Sequence, residues 1–180
     1  MKLFLVMATL FLSQALFAET VVVETSKGSF EVELNSEKAP ISSENFLGYV
    51  DSGFYNGTIF HRTVKDFVIQ GGGLTPDMQE KETLSPIVSE ATNGLSNLKG
   101  TIGMARNDDP DSATSQFYIN TKDNQFLDHS DKKDGYAVFG RVISGYEVVE
   151  TIENSPVHNV GEYEDVPQET IVIKSIKRKP

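Results

Sequence analysis

Behind Met1 and Lys2 the chain opens with an apolar run, Leu3 to Leu12, and after Ala18 it changes to short alternating segments. Val21, Val22 and Val23 lead into Ser26-Lys27-Gly28, after which Phe30, Val32 and Leu34 alternate with Glu31 and Glu33. That alternation predicts a β-hairpin with one buried face. Pro40 suits a first helical position, Phe46, Leu47 and Val50 form a stripe, and Gly53 suits the residue just past a helix end, which together predict a helix over 40–52. Ile59, Phe60, Val64, Phe67, Val68 and Ile69 make 57–69 β-like, up to Gly71-Gly72-Gly73. Residues 74–99 are dense in glycine, proline, serine and asparagine and read as a long loop. Further strands are predicted over 101–105, 116–120, 136–143 and 170–177, with a short helix over 146–153 whose Val148, Val149 and Ile152 face inward. Many strands, few helices and no alternation of strand and helix predict a closed or sandwiched antiparallel sheet.

At 180 residues without an internal repeat, the chain suits one domain once the first segment is set aside. A basic start, a short apolar middle and a small residue near the end make 1–18 a candidate secretory signal peptide, with 19–180 as the mature domain. The cut is expected after Ala18, although Ser13 and Ala15 would also suit a cut after Ala15. The run is short for the ~20 residues of a membrane span, so removal is expected rather than stable membrane insertion. The absence of cysteine removes disulfides, thiolate nucleophiles and cysteine metal clusters. A net charge of −10 opposes binding to nucleic acid, and the basic tail Lys177-Arg178-Lys179 is too short to reverse it.

Most catalytic chemistries fail on spacing. His61, His129 and His158 lie far apart, no serine occupies a glycine-flanked nucleophile turn, and Asp128-His129-Ser130 are consecutive rather than a triad. Asp108, Asp109 and Asp111 lack the glycine and closing glutamate of a calcium loop, and no Lys-Ser or Lys-Thr pair follows Gly71-Gly72-Gly73. The chain thus offers no nucleophile, no metal site and no nucleotide motif, and a reaction needing none of them is required. In the run FHRTVKDFVIQGG, beginning at Phe60, strand periodicity places Phe60 and Arg62 on one face and His61 on the other, toward the core.

That run resembles a signature of the cyclophilins, and the resemblance continues through GTIGMARNDDPDSATSQFYIN from Gly100 to Asn120, and through NQFLD and YAVFGRV between Asn124 and Val142. It implies a mainly β fold, a closed eight-stranded antiparallel barrel capped by two helices. It also implies a peptidyl-prolyl cis/trans isomerase acting without cofactor or metal on proline-containing polypeptides. By position, Arg62 matches the catalytic arginine and Phe67, Val68, Tyr118 and Leu127 match the wall of the proline pocket. Gln70, Ala105, Arg106 and Gln116 match positions that hold the substrate backbone or the arginine, and Tyr136 falls where many relatives place a histidine. The segment 128–135 is longer than in eukaryotic relatives and resembles the bacterial subgroup; with the leader, this implies export to a bacterial periplasm, as a monomer that assists folding. A non-catalytic peptide-binding module using the same groove, and a barrel binding a small molecule inside, are the competing readings.

Three departures from the family pattern bear on ligands. Val68 replaces a common methionine, Tyr118 replaces a common phenylalanine and is expected to add a hydroxyl at the pocket edge, and Phe126 stands where many eukaryotic relatives have tryptophan. Phenylalanine lacks the indole N–H donor used in binding cyclosporin. Purified protein is therefore expected to be only weakly inhibited by cyclosporin, and a nanomolar inhibition constant would refute this.

Overall fold

A computed structural model describes residues 19–180; the leader read over 1–18 and its cleavage lie outside the described residues. The predicted first hairpin forms from β1 (Thr20–Thr25) and β2 (Gly28–Leu34), paired through Val21↔Val32 and Val23↔Phe30. The β-like stretch after the first helix divides at a turn into β3 (Ile59–Val64) and β4 (Val68–Gly71). β5 (Thr101–Met104), β6 (Phe117–Asn120), β7 (Val138–Ser144) and, after a second hairpin of β8 (Val157–Val160) and β9 (Tyr163–Pro167), β10 (Ile171–Arg178) complete the set. Eight of these close into an antiparallel barrel in the order β1-β10-β3-β4-β6-β5-β7-β2. The expected eight-stranded barrel is therefore present.

The alternating apolar positions all turn inward. Val21, Val23, Phe30, Val32, Leu34, Ile69, Ile102, Ile119, Phe139, Ile171 and Ile173 are buried in one continuous core. Among the described residues these bulky side chains pack the barrel interior, so the small-molecule reading, which needs an accessible interior, finds no support there. Any site must lie on the outer wall.

Two helices close the barrel. α1 (Pro40–Asp51) sends Phe46 into an aromatic cluster with Tyr55, Phe117 and Phe139, at ring-centroid separations of 5.2, 5.6 and 5.3 Å. α2 (Tyr146–Glu153) buries Val148, Val149 and Ile152 as its stripe predicts. Val148 packs against Gly28 at the start of β2, whereas α1 follows the end of β2, so the helices cap opposite mouths. α1 ends as Gly53 suggested. Gly53 adopts φ +68°, the Phe54 N–H donates to the Tyr49 carbonyl at 3.0 Å, and the two rings meet at 4.6 Å, which is a Schellman motif with its apolar contact.

The hairpin β8–β9 was not expected. Val157, His158 and Asn159 are all exposed, so no buried alternation marks the strand, and the hairpin is held by packing of β9 against β3. Among the described residues no helix is long and apolar enough to cross a membrane.

At its start α1 lacks a capping side chain of its own, because Ala39 precedes Pro40. The cap comes from the long loop instead: the Glu90 carboxylate accepts the N–H groups of Ile41 and Ser42 at 2.9 and 2.7 Å and the Ser42 hydroxyl at 2.7 Å. A carboxylate satisfies orphan donors there and also meets the positive end of the helix dipole. Glu90→Ala is expected to destabilise the protein by about 1–2 kcal/mol, read as a lower urea midpoint with an unchanged slope.

Candidate active site

Arg62 reaches the outer wall because β3 contains a bulge. Phe60 pairs with Gly71 and Arg62 with Gln70, so one extra residue, His61, stands between two successive partners on β4. Phe60 turns into the core, while His61 and Arg62 both line an outer cleft. The expectation from strict period two, with Phe60 and Arg62 on one face and His61 toward the barrel core, is thereby corrected. An inserted residue breaks the alternation and turns two successive side chains to the same side. Tyr163 of β9 covers His61, with ring centroids 6.4 Å apart.

Beyond the bulge, the pairing aligns side chains into a row. Arg62, Gln70 and Tyr118 are consecutive partners across β3, β4 and β6, and Gly103 of β5 stands beside Tyr118. Arg62 Nη1 donates to Gln70 Oε1 at 3.4 Å, and Gln70 Nε2 donates to Gln116 Oε1 at 3.0 Å. Gln116 in turn crosses Gly73, where an added Cβ would come within 2.4 Å of its Cγ. Among the described residues Arg62 makes no ion pair. Its guanidinium carbon stands 5.9 Å from the Phe67 ring centroid.

Arg62, Phe67, Val68, Gln70, Ala105, Arg106, Tyr118, Leu127 and Tyr136 line one groove of about 270 Å³. Of the sequence-predicted residues, Gln116 lies behind Gln70 and lines the neighbouring cleft, and Phe126 stacks on Phe67 with centroids 5.8 Å apart. Phe126 comes from a short 3-10 turn, Gln125–Leu127, and is 60% exposed, at the rim. A recess of this size, walled by Phe67, Val68, Tyr118 and Leu127 and bordered by the guanidinium groups of Arg62 and Arg106, suits a small ring rather than a drug-sized ligand.

Residues 20–178 match the family described as cyclophilin type peptidyl-prolyl cis-trans isomerase/CLD. The chain belongs to the cyclophilins. It is 54% identical over 157 residues to peptidyl-prolyl cis-trans isomerase A of Dickeya dadantii, covering 87% of this chain and 83% of that protein. It is 45% identical over 159 residues to peptidyl-prolyl cis-trans isomerase B of Escherichia coli, covering 87% and 97%. A crystal structure of a Cryptosporidium parvum cyclophilin type peptidyl-prolyl cis-trans isomerase matches with a TM-score of 0.79 at 30% identity, covering 91% of this chain and 99% of that one. A structure of the same parasite protein in the presence of the dipeptide Ala-Pro matches with a TM-score of 0.78, also at 30% identity, covering 89% and 99%. The protein is a peptidyl-prolyl cis-trans isomerase.

Two features of this cyclophilin's groove differ from the sequence reading. The Tyr118 hydroxyl does not stand at the pocket edge; it donates to Asn97 Oδ1 at 2.6 Å in the interior, and burial pushes its ionisation well above the ordinary tyrosine range. Gly103 permits this, since an added Cβ would lie 2.4 Å from that hydroxyl. Arg106, expected to hold the substrate backbone or position the arginine, lines the groove but makes no hydrogen bond to Arg62 or Gln70 among the described residues. Its Nε and Nη2 donate to the Gly135 carbonyl at 3.1 and 2.8 Å, and its guanidinium lies 4.4 Å from the Tyr136 ring centroid.

Sequence reasoning missed the support beneath the groove. Asn97 accepts from Tyr118 and from Asn120 Nδ2 (3.1 Å) and donates through its own Nδ2 to Asp128 at 2.9 Å. Asn124 donates to the Asn120 side chain and to the Phe67 carbonyl, both at 2.8 Å. Asn97, Asn120 and Asn124 are buried, so each amide depends on the others. No sequence signal pointed to it, because Asn97, Asn120 and Asn124 stand among polar neighbours such as Ser96, Lys99, Lys122, Asp123 and Gln125, as loop asparagines commonly do.

His61 is 5% exposed and its Nδ1 has no partner. Burial, aided by the adjacent Arg62 charge, holds the ring down to about 4, well below the ordinary histidine value. Below pH ~6.5 the unfolded chain takes up a proton that the folded chain refuses, so this contribution is complete above that pH and is lost as pH falls toward 4. Stability relative to His61→Gln is expected to fall by about 3 kcal/mol between pH 7.5 and 4 in urea titrations. A pH-independent difference would show that the imidazole titrates normally.

Proposed function

We propose that Arg62 accelerates X-Pro isomerisation by donating a hydrogen bond that strengthens as the imide twists, with the proline ring held in the recess of Phe67, Val68, Tyr118 and Leu127. The observation that carries this reading is the position of Arg62: at the lip of the recess, free of any ion pair among the described residues, and tethered through a 3.4 Å contact to Gln70. Imide rotation is slow because resonance gives the C–N bond partial double character, with a barrier of about 18–20 kcal/mol. Nothing covalent has to be made. Spontaneous relaxation takes roughly tens of seconds, so reaching milliseconds needs about 10⁴-fold acceleration, or ~5.5 kcal/mol of preferential transition-state binding.

In the twisted state the proline nitrogen becomes pyramidal and regains a lone pair, which a guanidinium N–H can meet; the planar amide offers none. That is differential binding. The apolar recess adds to it, because the charge-separated planar form loses more than the twisted form when water is removed. Arginine suits the role because it stays protonated and presents a planar fork, which the Gln70–Gln116 relay orients. Tyr136 and Phe126 border the same recess and would contact residues flanking the proline.

The substrates are proline-containing polypeptides, consistent with the relative whose structure was obtained with Ala-Pro. With the leader read at 1–18, the protein works as a monomer on exported chains in a bacterial periplasm. Secretion of a reporter fused behind residues 1–18 tests that placement.

Because among the described residues the Arg62 guanidinium makes one long hydrogen bond, to Gln70, a distant approach to the Phe67 ring and no ion pair, its removal is expected to leave the fold intact. Arg62→Ala should lower kcat/KM on a short proline peptide by at least about tenfold, since more than ~1.4 kcal/mol of transition-state contact is lost. Arg62→Lys should not restore it, as a point charge lacks the fork. A near-wild-type rate in either variant would overturn the mechanism.

A further inference from the structure

Past Arg62, away from the proline recess, the groove continues into a second cleft of about 380 Å³ lined by His61, Arg62, Gln70, Leu74, Gln116, Glu162, Tyr163 and Glu164. Arg62 and Gln70 form the partition between the two, so a polypeptide seated with its proline in the recess extends into this cleft. The outer wall is the tip of the β8–β9 hairpin, which turns at Gly161 with φ +60° and presents Glu162 and Glu164 on either side of Tyr163. Both glutamates are exposed and neither makes an ion pair among the described residues. The inner wall includes His61, which is 5% exposed and whose Nδ1 is buried without a hydrogen-bond partner.

We propose that this cleft is a substrate subsite that selects a lysine or arginine side chain within a few residues of the isomerised proline, with Glu162 and Glu164 as the specificity-determining residues. The inference rests on the isomerase reading of the Arg62 groove and adds its substrate preference. The charge balance decides the sign. Two carboxylates face one guanidinium, and His61, held neutral by burial, adds no positive charge, so the cleft is left net negative. A cationic side chain there gains two partners. An acidic one meets two like charges, and Arg62 is occupied at the imide. Leu74 and the Tyr163 ring supply apolar surface for the methylene stem of the incoming lysine or arginine. The chain's overall charge of −10 also attracts cations, but at physiological ionic strength that field is screened beyond about 8 Å, whereas carboxylates lining the cleft are not.

The test uses tetrapeptide and pentapeptide substrates that carry Lys, Ala or Glu at each position flanking the proline, assayed at about 0.15 M salt with wild type and the double variant Glu162→Gln/Glu164→Gln. The expected result is a kcat/KM ratio of Lys to Ala of about threefold or more at one flanking position, with Glu below Ala. In the double variant both ratios should fall to about one. Equal ratios in the two proteins, or no discrimination by wild type, overturn the subsite while leaving the isomerase intact. Failure of wild type to turn over any peptide would remove the isomerase reading itself and the subsite with it.

Discussion

One inserted residue in β3 determines which wall of the barrel Arg62 stands on. If the strand alternated strictly from Phe60, which the core requires inside, Arg62 would follow it into a barrel already filled by Phe117, Ile69 and Ile171. A guanidinium there would be desolvated without a partner, at a cost well beyond what one strand pairing returns. The bulge at His61 lets Phe60 stay in the core while Arg62 emerges on the outer wall in line with Gln70 and Tyr118. The cost appears at His61 itself, an imidazole buried beneath Tyr163 with a ring nitrogen that has no partner. Bulges recur beside active sites because they aim a side chain that the alternation would misdirect.

The wall that Arg62 emerges on is rigid for a separate reason. Close-packed interiors are poorly compressible, and here the mutual ring contacts of Phe46, Tyr55 and Phe117 brace the inner side of the wall whose outer face forms the groove. On the outer side, Asn97, Asn120 and Asn124 tie the loop residues Asp128 and Phe67 to β6, so the recess is bounded by a connected polar network rather than by free loop. Each of these amides would be costly if left unpaired, so movement of one wall requires breaking several bonds together. Glycine at 73 and at 103 belongs to the same design, since the side chains of Gln116 and Tyr118 occupy the space a Cβ would need.

How much of this was legible in the sequence follows from the kind of signal each feature leaves. Alternation at Phe30, Val32 and Leu34, or at Ile171 and Ile173, reports a buried face directly, and both strands were readable. The end of α1 was readable because Gly53 carries a backbone requirement that few other residues meet. Its start was only half readable: Pro40 marked it, but the cap is Glu90, far along the chain and invisible to local pattern. The β8–β9 hairpin left no alternation, since β8 is mostly exposed and β9 depends on packing against β3. The bulge was invisible for a stricter reason: a run such as Phe60-His61-Arg62-Thr63 is compatible with either register, and only the partner strand chooses. The members of the groove could be named by resemblance, yet that resemblance did not say that Tyr118's hydroxyl turns inward or that Arg106 is bound to Gly135.

The electrostatic setting of Arg62 explains why an acidic protein keeps a cation unpaired beside its groove. On the mechanism proposed for Arg62, an ion pair within 4 Å would hold the guanidinium equally in the ground and transition states, and breaking it to reach the imide would subtract from the differential binding proposed to drive rotation. A neutral amide relay avoids that. Gln70 orients the fork through a contact of 3.4 Å, weak enough to yield, and is itself oriented by Gln116 at 3.0 Å. The carboxylates of Glu162 and Glu164 stand across the neighbouring cleft rather than on the arginine, close enough to bias what enters and outside pairing distance of the donor. As proposed, catalysis by Arg62 and selection by the cleft place opposite demands on nearby negative charge, and the separation of the hairpin tip from the strand wall is what accommodates both.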